Sequence, residues 1–308
     1  MDCGKGGNVM SLRTGKGKED TFFDIIVAII AIIALIVTLY PLYFIVIASI
    51  SDPNAVLLGD VILLPKGINF VGYKYIFEEQ KIWLGYRNTI FYTVVGTLFG
   101  VTVTLLAGYA LSRKDLIGRN VIMKIMVFTM FFNGGLIPTY MVVSSLNLVN
   151  NPLVLIILGS VWVYNIIITR TFFQSTLPEE MREAAFIDGC GNLRFFISIA
   201  IPLSKAIVAV ISLFYAVGHW NSYFNALIYI TKKELHPLQL ILRELLIQGQ
   251  SLVTNMDSSE MESLIERERI AQAIKYGVII VSTLPVIIAY PLLQKYFVKG
   301  VMIGSIKG

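Results

Sequence analysis

The side chains of this chain that have chemical capacity gather in two stretches, and neither has the makings of a catalytic centre. In the first, Ser212, Tyr215, His219 and Ser222 recur at i, i+3, i+7 and i+10, which puts hydroxyls and an imidazole on one helix face. Asn221 and Asn225 stand a turn apart beside them, with Trp220 and Tyr223 adjacent. The second stretch, Thr176 to Lys205, reads TLPEEMREAAFIDGCGNLRFFISIAIPLSK and concentrates Glu179, Glu180, Arg182, Glu183 and Asp188. The other histidine, His236, lies on a separate segment, and no H-E-x-x-H, G-x-S-x-G or G-x-x-x-x-G-K-[ST] pattern occurs. Neither a metal site nor catalysis is predicted for this chain. What remains is recognition. Asn and Ser beside Tyr and Trp suit a ligand with hydroxyls and apolar C–H faces, such as a sugar, and packing glue between helices is the competing use of the same residues.

The elements that carry these residues are membrane spans. Of 308 residues 56% are hydrophobic and only 15% charged, which excludes an ordinary soluble domain. Six apolar runs each approach or exceed the roughly 20 residues a bilayer needs. They lie at about 22–50, 85–112, 121–143, 152–173, 201–230 and 274–297. Residues 1–20 carry Lys5, Arg13, Lys16 and Lys18 among glycines and read as a cytosolic tail, ahead of a transmembrane domain over 21–308. With that tail inside, fifteen of the 25 lysines and arginines fall in short cytosolic parts, and the outer loops, which hold Lys232, Lys233 and Arg243, have fewer. Both termini are therefore expected in the cytosol. Cys3 and Cys190 fall there too, so no disulfide is expected. The spans hold almost no ionisable group in their interiors; Asp24, Arg87 and Arg170 sit near ends, where snorkelling is cheap. A stand-alone ion-coupled carrier would keep a carboxylate or an ion-coordinating cluster at mid-membrane depth. The energy for transport is thus expected from another subunit.

Breaks and caps organise the rest. Asn133-Gly134-Gly135 with Pro138 predicts an interruption in the third span, and broken helices at membrane depth line cavities. Asp52-Pro53-Asn54 and Pro65-Lys66-Gly67 predict an ordered first outer loop. In the large outer loop, 231–273, Ser259 with Glu262 forms a capping box that leads into a charged helix with Glu266, Arg267, Glu268 and Arg269. In the 176–205 stretch, Thr176 with Glu179 is a capping box, Pro178 belongs to the first turn, and Gly189 and Gly191 supply a stop and a turn. Asn192 caps a second helix running to Pro202. The result is a helical hairpin with an alanine stripe. From the residues alone it reads equally as an interfacial amphipathic helix and as a docking helix for another protein.

EAAFIDG at Glu183–Gly189, followed by IAIP at Ile199–Pro202, resembles the EAA loop of permease subunits of ABC importers. NGGLIPTY at Asn133–Tyr140, WNSYFNALIYI at Trp220–Ile230 and SDPNAV with LPKG are similar to the carbohydrate-uptake branch, the MalG-like second permease of LplC/YtcP type. The resemblance covers residues 22–308. It implies an all-α integral membrane protein of six spans, the type I importer (MetI-like) permease fold with a cytosolic coupling helix. It implies that Glu183, Ala184, Ala185 and Gly189, flanked by Arg182 and Asp188, dock on an ATPase. From their own chemistry and spacing, Asn133, Tyr215, His219, Trp220, Asn221 and Tyr223 are the candidates for lining a substrate pathway. Cys190 departs from the pattern, since such loops usually place a small residue such as alanine there. The implied partners are a second homologous permease, two ATPases that bind ATP and magnesium, and an extracytoplasmic solute-binding protein, toward which the 231–273 loop reaches. The cargo implied is an oligosaccharide or polysaccharide fragment, with peptides or other small solutes as the alternative.

Overall fold

The computed structural model describes residues 18–254, 269, 271–288 and 291. The tail before Lys18, the Ser259–Glu262 capping box with Glu266, Arg267 and Glu268, and the lysines after residue 291 lie outside the described residues. Every regular element described is helical. The first span, α1 (Lys18–Ser49), is apolar around its whole circumference, and its apolar stretch is bare of the rest of the chain. Its far end is tied down: Tyr40 donates to the Ile62 carbonyl, Tyr43 to that of Leu63, and Phe44 meets Tyr276 edge-on at 5.9 Å.

The first outer loop is ordered, as its turn signals predict. Asp52 accepts from the Asn54 amide at 2.9 Å and starts α2 (Pro53–Leu57), while its own amide donates to the Lys66 carbonyl. Gly67 turns the chain with φ +62°, and α3 (Val71–Glu78) follows.

The central element is α4 (Gln80–Ser112). Its buried face carries Gly85, Gly96, Gly100 and Gly108, and at three of these a methyl group would meet heavy atoms of the segments at 160–170 or 215–219. A Cβ at Gly96 would stand 2.4 Å from His219 Nε2, at Gly100 2.6 Å from the Ser160 carbonyl oxygen, and at Gly108 2.7 Å from Thr169 Cγ2. Lipid tails are as apolar as leucine, so spans associate through close van der Waals contact, and small residues permit it.

Three of the remaining apolar segments are broken. The third predicted span divides into α5 (Arg119–Phe131) and α6 (Leu136–Ser145), bent by 114° across the Asn-Gly-Gly sequence. Gly135 has φ +87° and ψ 177°, a region only glycine enters cheaply, and Asn133 Oδ1 accepts the Gly135 amide. The fourth, read as continuous, divides into α7 (Pro152–Leu158) and α8 (Val163–Thr176) with a 49° bend. The predicted fifth span, 201–230, is corrected most. Residues Asn192–Leu203 form α10, with a π-helical turn at Phe196–Ala200, and α11 (Lys205–Trp220) leaves it at 83°. A further gap at 221–223 precedes α12 (Phe224–Tyr229). Then α13 (Leu238–Thr254) and α14 (Ala271–Ile288) complete the described chain. Among the described residues three helices are long and apolar enough to cross a membrane, or up to six when each bent pair counts as one span.

The close approach at Gly96 yields a test. Gly96→Val should lower the melting temperature of the purified protein by several degrees, because overpacking costs about 1–3 kcal/mol. His219→Ala in the same chain should recover part of the loss, read as a double-mutant cycle.

Candidate functional site

The hairpin is built on the end of α4. Tyr109 meets Phe173 of α8 edge-on at 5.8 Å, stacks on Phe195 at 6.4 Å and tilts against Phe196 at 5.0 Å. Leu105, Ala200, Ile207 and Ile211 complete this apolar cluster. Aromatic pairs at such distances add about 0.5–1.5 kcal/mol beyond area burial. They fix α10 against α4 and α8, and with it the position of α9 (Glu179–Ile187), which α10 follows.

The start of α9 differs from the expectation. Thr176 is the last residue of α8, its hydroxyl is buried without a hydrogen-bond partner among the described residues, and Pro178 occupies the N-cap position with no side-chain bond. The Thr176–Glu179 capping box does not form: Thr176 belongs to α8 and Pro178 takes the N-cap position, while Glu179 is engaged by Arg182, whose Nε donates to its Oε1 at 2.6 Å. Glu179 and Glu180 still place negative charge in the first turn. At the other end Gly189 has φ +75°, as a helix stop requires, whereas Gly191 sits at φ −74° and ψ 163°, open to any residue. Asn192 is the first residue of α10 rather than its cap, and its Oδ1 accepts from Arg113.

A charge network ties the hairpin to the 113–118 link. Arg113 forms a two-pronged bond with Asp115, its Nε at 2.8 Å, and Arg182 approaches the same carboxylate at 3.7 Å. Arg182 therefore bridges Asp115 and Glu179, and its guanidinium also lies 5.3 Å over the Phe186 ring. The hydrogen bond from Arg113, then the charges of Arg113 and Arg182, hold the Asp115 carboxyl at about 2. The same bond raises Arg113. A cleft of about 350 Å³ opens beside the network, lined by Ser112, Lys114, Arg119, Gln174 and Glu180 among others.

The structure sorts the predicted hairpin residues by face. Glu183, Ala184, Asp188 and Gly189 are exposed; Ala185 is half-buried and packs with Cys190 against the Tyr109 cluster. The alanine pair thus splits, one inward and one outward. Apolar side chains that the reading passed over are bare beside them: Ile187 is 87% exposed, Leu193 67%, and Ile117 on the neighbouring link 94%. Their signal was available, since each is a large aliphatic residue within a charged segment.

The other predicted residues divide as well. Tyr215, His219 and Trp220 are buried in helix packing. The Tyr215 hydroxyl shares a 2.6 Å hydrogen bond with Thr104 and accepts from the Trp162 amide at 3.2 Å. His219 is sandwiched between Gly96 and Gly159, 3.4 Å from Ser160 Oγ, and Trp220 donates to the Ser282 carbonyl at 2.9 Å. Asn133, Asn221 and Tyr223 are exposed. The glycines of α4 were missed, although Gly96-x-x-x-Gly100 in an apolar span is a packing signature. Among the described residues no group of histidines, cysteines and carboxylates is placed to hold a metal.

Because Asp115 is held below its ordinary value, its stabilising contribution is complete above about pH 4 and fades as pH falls toward 2. Amide exchange over 179–188, corrected for intrinsic rates, should therefore be flat between pH 5 and 8. Asp115→Asn should speed it about two- to fivefold, the range expected of a solvent-screened network.

Known proteins match this architecture. No family model matches the chain. It is 40% identical over 264 residues to the polygalacturonan/rhamnogalacturonan transport system permease protein YtcP of Bacillus subtilis (strain 168), covering 86% of this chain and 91% of that protein. It is 42% identical over 246 residues to protein LplC of the same organism, covering 80% and 81%. A crystal structure of a bacterial ABC transporter involved in the import of the acidic polysaccharide alginate superposes with a TM-score of 0.82 at 34% identity, over 91% of this chain and 98% of that one. The fold is therefore the MetI-like ABC permease fold, and the chain belongs to the family of ABC transport system permease proteins that includes YtcP.

Proposed function

We propose that this permease carries oligosaccharides or polysaccharide fragments inward, as one half of a translocation path completed by a second, homologous permease. Two relatives are named for acidic polysaccharides, polygalacturonan in one case and alginate in the other, and an acidic oligosaccharide is the cargo we assign here. A solute-binding protein delivers it on the extracytoplasmic side. Two ATPases on the cytosolic side supply the energy, and ATP and magnesium stay on them. Both termini and the α9 hairpin lie in the cytosol, in keeping with the charge asymmetry of the loops.

The observation that carries this reading is the face of α9. A short charged helix buries its inner edge in the Tyr109 cluster and leaves Glu183, Ala184, Asp188, Gly189 and the aliphatic Ile187 bare. An aliphatic side chain 87% exposed among charges on the cytosolic side has neither lipid nor core to enter, and a partner's groove removes it from water. Ile187 and Leu193 supply the apolar contact, Glu183 and Asp188 set register, and Arg182 positions the helix without touching the partner. Closure of the ATPase pair would then move α9 and α10 as a body and swing α11 through the 83° joint. Asn133, Asn221 and Tyr223 line the path in this state.

Ile187→Asp and Glu183→Lys should insert and assemble normally yet lose substrate-stimulated ATP hydrolysis by tenfold or more in the reconstituted complex. Full stimulation in both variants would remove α9 from the coupling role.

A further inference from the structure

At the end of the molecule away from the hairpin, α13 passes over the gap between α11 and α12. There Arg243 places its guanidinium carbon 5.7 Å from the centre of the Tyr223 ring. Several cations near this end have acids to pair with: Lys66 with Asp60, Lys81 with Glu79 and Arg269 with Asp52. Arg243 has no carboxylate partner among the described residues, and its neighbour Glu244 is engaged at 3.5 Å by His236 Nδ1. Tyr223 is 41% exposed, so the aromatic platform under the cation is open on its remaining surface. Asn221, exposed two residues earlier, donates to the Val217 carbonyl at 3.0 Å and keeps its own carbonyl oxygen unbonded among the described residues.

We propose that Arg243, Tyr223 and Asn221 form a subsite that reads the carboxylate of an acidic sugar unit. This rests on the assignment of an acidic oligosaccharide as cargo and names the residues that distinguish it from a neutral one. The chemistry of the three groups fits a uronate. A guanidinium fork takes a carboxylate through two parallel N–H bonds, which an ammonium cannot reproduce. An exposed phenol ring receives the apolar C–H face of a pyranose. The Asn221 carbonyl accepts a ring hydroxyl. The Tyr223 ring also holds the guanidinium in place before the ligand arrives, so less side-chain freedom is lost on binding.

The test compares trigalacturonate with its methyl ester, which keeps the ring and hydroxyls and lacks the charge. Equilibrium binding is measured on the purified permease complex in nanodiscs. Wild type should bind the acid at least about tenfold more tightly than the ester, and Arg243→Gln should abolish that preference by weakening the acid alone. Arg243→Lys should keep only part of it; this variant gives the same reading if the glutamine variant does not assemble. An undiminished acid preference in either variant overturns the subsite, as does a wild type that binds acid and ester equally. Uptake of trigalacturonate by the whole importer with its receptor in proteoliposomes tests the cargo assignment separately. Absence of uptake overturns the cargo, whereas uptake without an Arg243-dependent preference overturns only the subsite.

Discussion

Everything in this molecule depends on how closely α8 and α11 can approach α4. Between spans in lipid there is no hydrophobic driving force, so cohesion comes from contact distance and hydrogen bonds. Gly96, Gly100 and Gly108 remove the side chains that would hold the backbones apart. The space admits a flat imidazole from His219, a phenol from Tyr215 and the methyl of Thr169. The same closeness explains why the fourth span can break. The 159–162 gap frees backbone groups at membrane depth, where each costs several kcal/mol if unsatisfied. The Trp162 amide donates to the Tyr215 hydroxyl, and Ser160 Oγ bonds the carbonyls of Gly96 and Ile156. Replace the glycines and the break loses its partners.

The hairpin inherits its position from that packing. Tyr109, one residue beyond Gly108, reaches Phe173, Phe195 and Phe196, so α4 carries both strands of the approach to α9. Arg170 donates to the Leu111 carbonyl at 3.0 Å, and the Arg113–Asp115–Arg182 network closes the circuit. The two kinds of contact do different work. Aromatic burial supplies the strength, and the solvent-screened ion network supplies orientation. The bend at Ser204 is the break in the helices nearest to it.

Local chemistry was legible in the sequence wherever one residue decides it. Gly135 and Gly189 take the positive φ their places demand, Asp52-Pro53 starts a helix, and the EAA segment is a short charged helix. What escaped depends on neighbours distant in sequence. The Thr176–Glu179 pair satisfies the capping-box pattern, yet Arg182 takes Glu179, and no spacing rule reveals which bond wins. The fourth span reads as one apolar run because its break is stabilised by hydrogen bonds to Tyr215 and Gly96, which lie up to 64 positions from the residues they hold. The polar face of α11 was correctly seen as one face, but Tyr215 and His219 turn it toward α4 rather than toward a solute. Periodicity shows that groups share a face; it does not show what that face meets.

The buried polar seam also carries a cost that the rest of the packing offsets. Asn165 and Thr169 of α8 are fully buried, and neither Asn165's amide nor the Thr169 hydroxyl has a hydrogen-bond partner among the described residues. An orphaned buried polar group costs about 1–3 kcal/mol, so this packing is held above its own minimum by the contacts around it. The offset is supplied by the Gly108–Thr169 approach and the Tyr109 aromatics, which belong to the same helix pair.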